Sequence, residues 1–161
     1  MHDGTDGTTM PKDLDRVDRE IVRLVSAQGR ISHEEIARRV HVSRPAVHER
    51  VKRLERDGVI RGYRAVVDWT AVDLGVCAFV SVQADHAELG KVLDRMFETA
   101  TPEAMVEECH RVTGQWCALL KVRAATTAAL QQLLDDIMAI DGVRQVITTI
   151  VLTSTEATRR T

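Results

Sequence analysis

The apolar residues of this chain change their period once, and that change divides it. Up to about residue 60 they recur three and four apart, the spacing of a helix face; from residue 76 strand-like alternation is interleaved with helical stretches. No single layer satisfies both patterns, so the chain reads as a helical module, a linker and an α/β module. Charge divides at nearly the same place. The chain as a whole carries only −2, but residues 12–64 hold 14 Lys/Arg against 9 Asp/Glu and residues 65–161 hold 8 against 13. A basic first part and an acidic second part imply two surfaces with different work. The expected organisation is a tail at 1–11, a helical domain at 12–64, a linker at 65–75, an α/β domain at 76–154 and a tail at 155–161.

In the basic part Leu14, Val17, Ile21, Leu24 and Val25 form one helical stripe, with Asp15 as its cap and Gly29 as its terminator. Ser32 and Glu35 have capping-box spacing ahead of Ile36, Ala37 and Val40. Ser43 opens a third helix with Val47, Val51 and Leu54 inward and Gly58 at its end. A short helix, a tight break and a longer basic helix make the outline of a helix-turn-helix. On the third helix Pro45, His48, Glu49, Lys52, Arg53 and Arg56 point away from the buried stripe, and Arg44, Pro45, His48, Glu49 and Lys52 would meet base edges in a major groove. Arg50, Arg53, Arg56, Arg61 and Arg64 would neutralise phosphates. Residues 61–64, with Gly62 at a turn, read as a small wing or exit strand. Double-stranded DNA is the partner this face fits.

The second part reads as strand 76–84, helix 86–99, strands 105–113 and 116–122 joined at Gly114-Gln115, helix 127–140 and strand 143–152. Leu89, Val92, Leu93, Met96 and Phe97 are expected inward on the first helix, and Leu130, Leu133, Leu134, Ile137 and Met138 on the second. The order βαββαβ is that of a ferredoxin-like sandwich, making the fold class α+β. Two helices cover one sheet face. The first and last strands are nevertheless largely apolar on both, so a second subunit is expected over the other, giving at least a homodimer.

Several classes fall away. No uncharged stretch exceeds the eleven residues of 74–84, short of the roughly 18–20 of a membrane span. The first eleven residues lack the apolar centre of a secretory signal. Three cysteines without C-x-x-C spacing argue against a disulfide scaffold or zinc ribbon and fit a reducing cytoplasm. Cys109 and His110 are neighbours on a strand and so face opposite ways, which disfavours a shared metal ion. Glu107 and Glu108 have no nucleophile beside them and read as rim residues. Trp69 reads as packing between the two parts. Nothing calls for a cofactor, and no catalytic residue is assigned.

Taken in order, LDRVDREIVRLVSAQGRIS, EEIARRVHVSRPAVHERVKRLERDGVIRGYRAVVD, VEECHRVTG and the closing DGV…TTIVL resemble the Lrp/AsnC (feast/famine) transcriptional regulators from about Leu14 to Leu152. The resemblance implies a winged helix-turn-helix joined to a βαββαβ domain that binds an amino-acid effector and forms dimers, assembling to tetramers or octamers. It places Ser43, Arg44, Pro45, His48, Glu49 and Lys52 on the DNA-reading helix. It also places Thr113, Gly114, Gln115, Trp116 and Cys117 at the effector turn. Where members often carry aspartate and tyrosine after an aromatic, this chain has Cys117 and Ala118. A smaller Ala118 would enlarge the pocket and Trp116 would give it an apolar wall, implying a larger or aromatic amino acid, or no small-molecule response. His41 stands where members often have glycine. Two other classes resemble the same pattern: siroheme decarboxylases, and a ligand-binding module that no longer binds DNA.

Overall fold

The computed structural model describes residues 13–85 and 89–153. The tails expected at 1–11 and 155–161, and a helix start at His86, lie outside the described residues. The chain separates into two compact units between Val66 and Val67.

The first unit is three helices, α1 (Arg16–Ala27), α2 (His33–Val40) and α3 (Arg44–Arg56). Each begins on a side-chain cap that accepts otherwise orphaned backbone N–H groups. The Asp15 carboxylate accepts from Asp18 N at 2.7 Å and the Asp18 carboxylate accepts from Asp15 N at 3.3 Å, a reciprocal box. Ser32 accepts from Glu35 N at 3.1 Å, but the box expected there is half made, because Arg38 and Arg39 engage the Glu35 carboxylate. Ser43 accepts from Ala46 N at 3.3 Å, and Pro45 fits the first turn, where no intrahelical N–H is lost. Gly29 is not the left-handed terminator expected. Gln28 caps α1 through its N–H to Leu24 O, and the chain turns without a positive φ at Gly29. Gly58 does take that role after α3, at φ 70°. Ile21, Leu24, Ile36, Val47, Val51, Leu54 and Ile60 close the core between the helices.

The wing expected at 61–64 forms no strand. The physical reason is that an isolated extended segment has no neighbouring backbone to pair with.

The second unit starts with a single 3-10 turn, Thr70–Val72, and continues β1 (Val76–Ala84), α4 (Leu89–Glu98), β2 (Ala104–Arg111), β3 (Ala118–Ala124), α5 (Thr127–Met138) and β4 (Val143–Ile150). The sheet order is β2-β3-β1-β4 with every neighbour antiparallel. β1 and β2 are therefore parallel with β3 between them, the split βαβ expected of this element order. Register pairs Ala78 with Val122, Val80 with Leu120 and Val82 with Ala118, all buried against α4 and α5. Leu89, Val92 and Met96 supply the α4 side of that core and Leu130, Leu133 and Ile137 the α5 side. Phe97 and Met138 were expected inward but are 47% and 42% exposed, because each lies one position past the stripe at its helix's end. No helix among the described residues is long and apolar enough to cross a membrane.

The opposite sheet face is less apolar than the sequence suggests. Register brings Phe79 beside Lys121 and Thr149, and Ser81 beside Leu119 and Ile147. Phe79 and Ile147, 41% and 48% exposed, form an apolar centre, while charged groups of β2 and β3 occupy one side.

Candidate nucleic-acid interface and effector turn

The geometry of α3 sorts its polar residues into two groups. Ser43 is the cap. Arg44, Pro45, His48, Glu49, Lys52 and Arg56 are all exposed on the side away from Val47, Val51 and Leu54. Among the described residues Arg44 and Lys52 make no ion pair or hydrogen bond through their side chains. The His48 ring lies 5.5 Å from that of His33 in the first turn of α2, the two planes tilted by 52°. Arg56 makes a long 3.5 Å contact to Asp57 and is otherwise open to solvent. Arg61 is exposed just beyond the helix. The outer side of the helix thus carries exposed cations.

Arg50 and Arg53, expected as phosphate contacts, belong to the other group, because both are paired within the helical unit. Arg53 Nη2 donates to Asp18 Oδ2 at 2.5 Å, and Arg50 Nη1 donates to Asp18 Oδ1 at 2.8 Å and to Asp15 Oδ2 at 2.6 Å. They sit three residues apart on the flank of α3 that faces α1, where the two carboxylates of the α1 cap await them. The Asp18 N–H and then Arg50 hold the Asp15 carboxyl below the ordinary carboxylate range. Asp15 and then Asp18 raise Arg50 in return. Sequence reasoning saw Asp15 only as a cap. The available signal was the pair of acids three apart at the start of α1, one more than a cap needs.

His41 ends α2 in the left-handed region at φ 56°, the conformation for which glycine is the usual residue. The turn keeps its shape with histidine, at some backbone cost.

The expected effector turn is longer than a two-residue hairpin. β2 stops at Arg111 and β3 begins at Ala118, because Cys117 N donates to Val82 O of β1 and Val112 N donates to Cys117 O. Thr113, Gly114 and Gln115 are exposed at the tip, Gly114 has φ 117°, and Trp116 is half-buried. Cys117 does not join them. It is 5% exposed, its Sγ accepts from Ala84 N at 3.1 Å, and its thiol donates to Val82 O at 3.3 Å. The register of β1 with β4 shifts between Gln83 and Ala84, so the thiol satisfies a backbone N–H at an irregularity of the sheet. Ala118 is fully buried under the helices, so its small size opens no solvent-facing pocket.

β2 and β3 also carry a charged ladder that the sequence left as rim residues. A bulge between Val106 and Glu108 breaks the alternation and turns both Glu107 and Glu108 toward Lys121. Glu107 accepts from Lys121 at 3.2 Å and from Arg123 at 2.7 Å; Glu108 accepts from Lys121 at 3.2 Å and pairs with His110 at 3.0 Å. His110 and then Lys121 hold Glu108 below its ordinary value. Burial alone would lower Lys121, but the two carboxylates outweigh it and raise it. The Arg123 guanidinium lies 5.3 Å over the Trp69 ring, which holds the indole on the sheet of the second unit. Cys109 pairs with Leu120 and His110 with Leu119, on opposite faces, and burial raises the Cys109 thiol. Among the described residues no group of three or more His, Cys, Asp or Glu could hold a metal ion.

Comparison with known proteins agrees with both units. Residues 14–61 match the family described as winged helix-turn-helix DNA-binding, and residues 77–161 match the Lrp/AsnC ligand binding domain. The chain is 34% identical over 158 residues to the leucine-responsive regulatory protein of Serratia marcescens, covering 96% of this chain and 95% of that protein. It is also 34% identical to the leucine-responsive regulatory protein of Escherichia coli strain K12, covering 92% and 91% of the two chains. The structure of a feast or famine regulatory protein from M. tuberculosis complexed with L-methionine superposes with a TM-score of 0.77 at 35% identity, covering 92% of this chain and 98% of that one.

Proposed function

The chain belongs to the Lrp/AsnC family, and from that premise we propose a sequence-specific DNA-binding transcriptional regulator whose assembly and DNA affinity respond to an amino acid. The observation that carries the reading is the outer side of α3, where Arg44, His48, Glu49 and Lys52 are exposed on a capped helix and Arg44 and Lys52 are committed to no partner among the described residues. In a major groove these side chains read base edges, while Arg56 and Arg61 neutralise phosphates. Such work places the protein in the cytoplasm.

The effector is an amino acid bordered by Thr113, Gly114, Gln115 and Trp116. The relative complexed with L-methionine supports an amino-acid ligand, and the half-buried indole of Trp116 favours a large apolar or aromatic side chain. A second copy of the chain covers the open sheet face at Phe79 and Ile147, and such dimers assemble to tetramers or octamers. An effector that fits one assembly better than another changes the spacing of the reading helices, and half-sites one helical turn apart are then gripped well or poorly.

The decisive measurement is a gel-shift series with DNA flanking the gene itself, at several salt concentrations. Sequence-dependent, salt-sensitive retention is expected, and Lys52→Ala is expected to weaken it by about 5- to 150-fold without altering oligomer size. Equal retention of specific and mixed-sequence DNA by both proteins would defeat the regulator reading. Calorimetric titration with the twenty amino acids tests the ligand; binding of glycine or alanine alone would defeat the large-side-chain assignment.

A further inference from the structure

Asp18 is the buried charged side chain among the described residues, at 1% exposure, and both of its oxygens are spent on the DNA-reading helix. Oδ1 accepts from Arg50 at 2.8 Å, and Oδ2 accepts from Arg53 at 2.5 Å and from Asp15 N at 3.3 Å. At that burial the carboxylate is closed off from bulk solvent. Moving Arg53 onto a DNA phosphate would therefore exchange one ion pair for another while leaving a buried charge under-compensated. Arg56 and Lys52, on the outer side of the same helix, face no such exchange.

We propose that Asp18 is a positioning residue for DNA recognition. It holds the flank of α3 against α1, setting the angle at which Lys52 and its neighbours are presented. It also withholds Arg53, and with Asp15 Arg50, from the phosphate backbone. A helix with four cations in two turns would otherwise attract any duplex through counterion release, irrespective of sequence. Two of the four are neutralised from within, so the sequence-independent part of binding is reduced and the base-reading part is left to decide. This inference rests on the DNA-binding reading of α3.

The test is the salt dependence of DNA binding by the full chain, on the gene-flanking duplex and on a mixed-sequence duplex of equal length. Each phosphate neutralised contributes about 0.9 to the slope of log affinity against log salt. Arg56→Met is expected to lower the slope by about one per bound subunit. Arg53→Met is expected to leave the slope unchanged while weakening the gene-flanking duplex several-fold, because the helix is less well held. Asp18→Asn, which frees Arg53, is expected to steepen the slope on mixed-sequence DNA and narrow the preference for the specific duplex. A slope that falls in Arg53→Met as it does in Arg56→Met overturns the proposal, as does an unchanged slope in a folded Asp18→Asn. If Asp18→Asn does not fold, the Arg53→Met and Arg56→Met pair decides alone. Wild-type protein that retains neither duplex overturns the DNA-binding reading and the proposal with it. Wild-type retention with the wrong Arg53→Met slope overturns the proposal only.

Discussion

The two units solve the problem of stability in different ways. The sheet unit buries a continuous cluster of 18 residues, alternating down β1 and β3 and closing on α4 and α5. The helical unit buries 8, and three helices of 8 to 13 residues are too short to stand by themselves in water. It adds a side-chain cap at each helix start and a carboxylate pair gripping two arginines of α3. The difference teaches why the second unit can spare an apolar patch at Phe79 and Ile147 while the first must draw on charges that it also needs outside. A surface that binds a polyanion has to keep its cations exposed. Here two of them, Arg50 and Arg53, are tied to carboxylates of α1 while still reaching solvent.

Substitutions can break this contrast from either side. The largest effect is expected in the sheet unit: Leu120→Ala removes a fully buried side chain from the middle of β3 and should cost about 2–5 kcal/mol in urea unfolding followed by the sheet signal. A loss below ~1 kcal/mol would mean that burial is not what holds this unit. In the helical unit Asp18→Asn is expected to cost less, about 1–3 kcal/mol, because Arg50 and Arg53 still reach solvent and their ion pairs are partly screened. Equal losses for the two variants would mean that the two units are held by terms of the same size.

A smaller change should run the other way. His41→Gly removes the cost of a side chain at φ 56°, and its helix-ending role suits glycine, so a gain of about 0.5–1 kcal/mol in thermal unfolding is expected. A loss would show that the imidazole makes a contribution larger than its backbone strain. The smallest effect is on titration. Asp15 is held below its ordinary value, so its contribution to stability is present above the unfolded carboxyl value of 3.8 and is lost as pH falls through the lower folded value. In Arg50→Met the Asp15 carboxyl, followed by NMR, should titrate closer to 3.8 than in the wild type. An unchanged midpoint would leave the backbone N–H of Asp18 as the whole cause.

Much of this molecule can be read from residue order because its determinants are local. Ser32 announces a helix start through its spacing to Glu35 and Ser43 through its place ahead of the next apolar stripe, and Val47, Val51 and Leu54 mark that stripe whatever they pack against. The alternation of Ala78, Val80 and Val82 fixes a strand face, and the βαββαβ order leaves few ways to close a sheet. The outer residues of α3 follow from the same periodicity, so Arg44, His48 and Lys52 could be named in advance.

What the tertiary structure alone decided are the places where residues far apart in sequence meet. Whether Arg53 is a free cation or half of an ion pair depends on Asp18, 35 positions away. Whether Cys117 lines a turn or plugs a sheet irregularity depends on the Val82 and Ala84 backbone of another strand. The bulge that turns Glu107 and Glu108 to one side is a matter of pairing with β3, and no period in β2 forecasts it. Periodicity states which side of an element a residue occupies. Only the packed fold states which partner waits there, because a charge or thiol near a boundary is settled by desolvation and by the nearest hydrogen-bonding group.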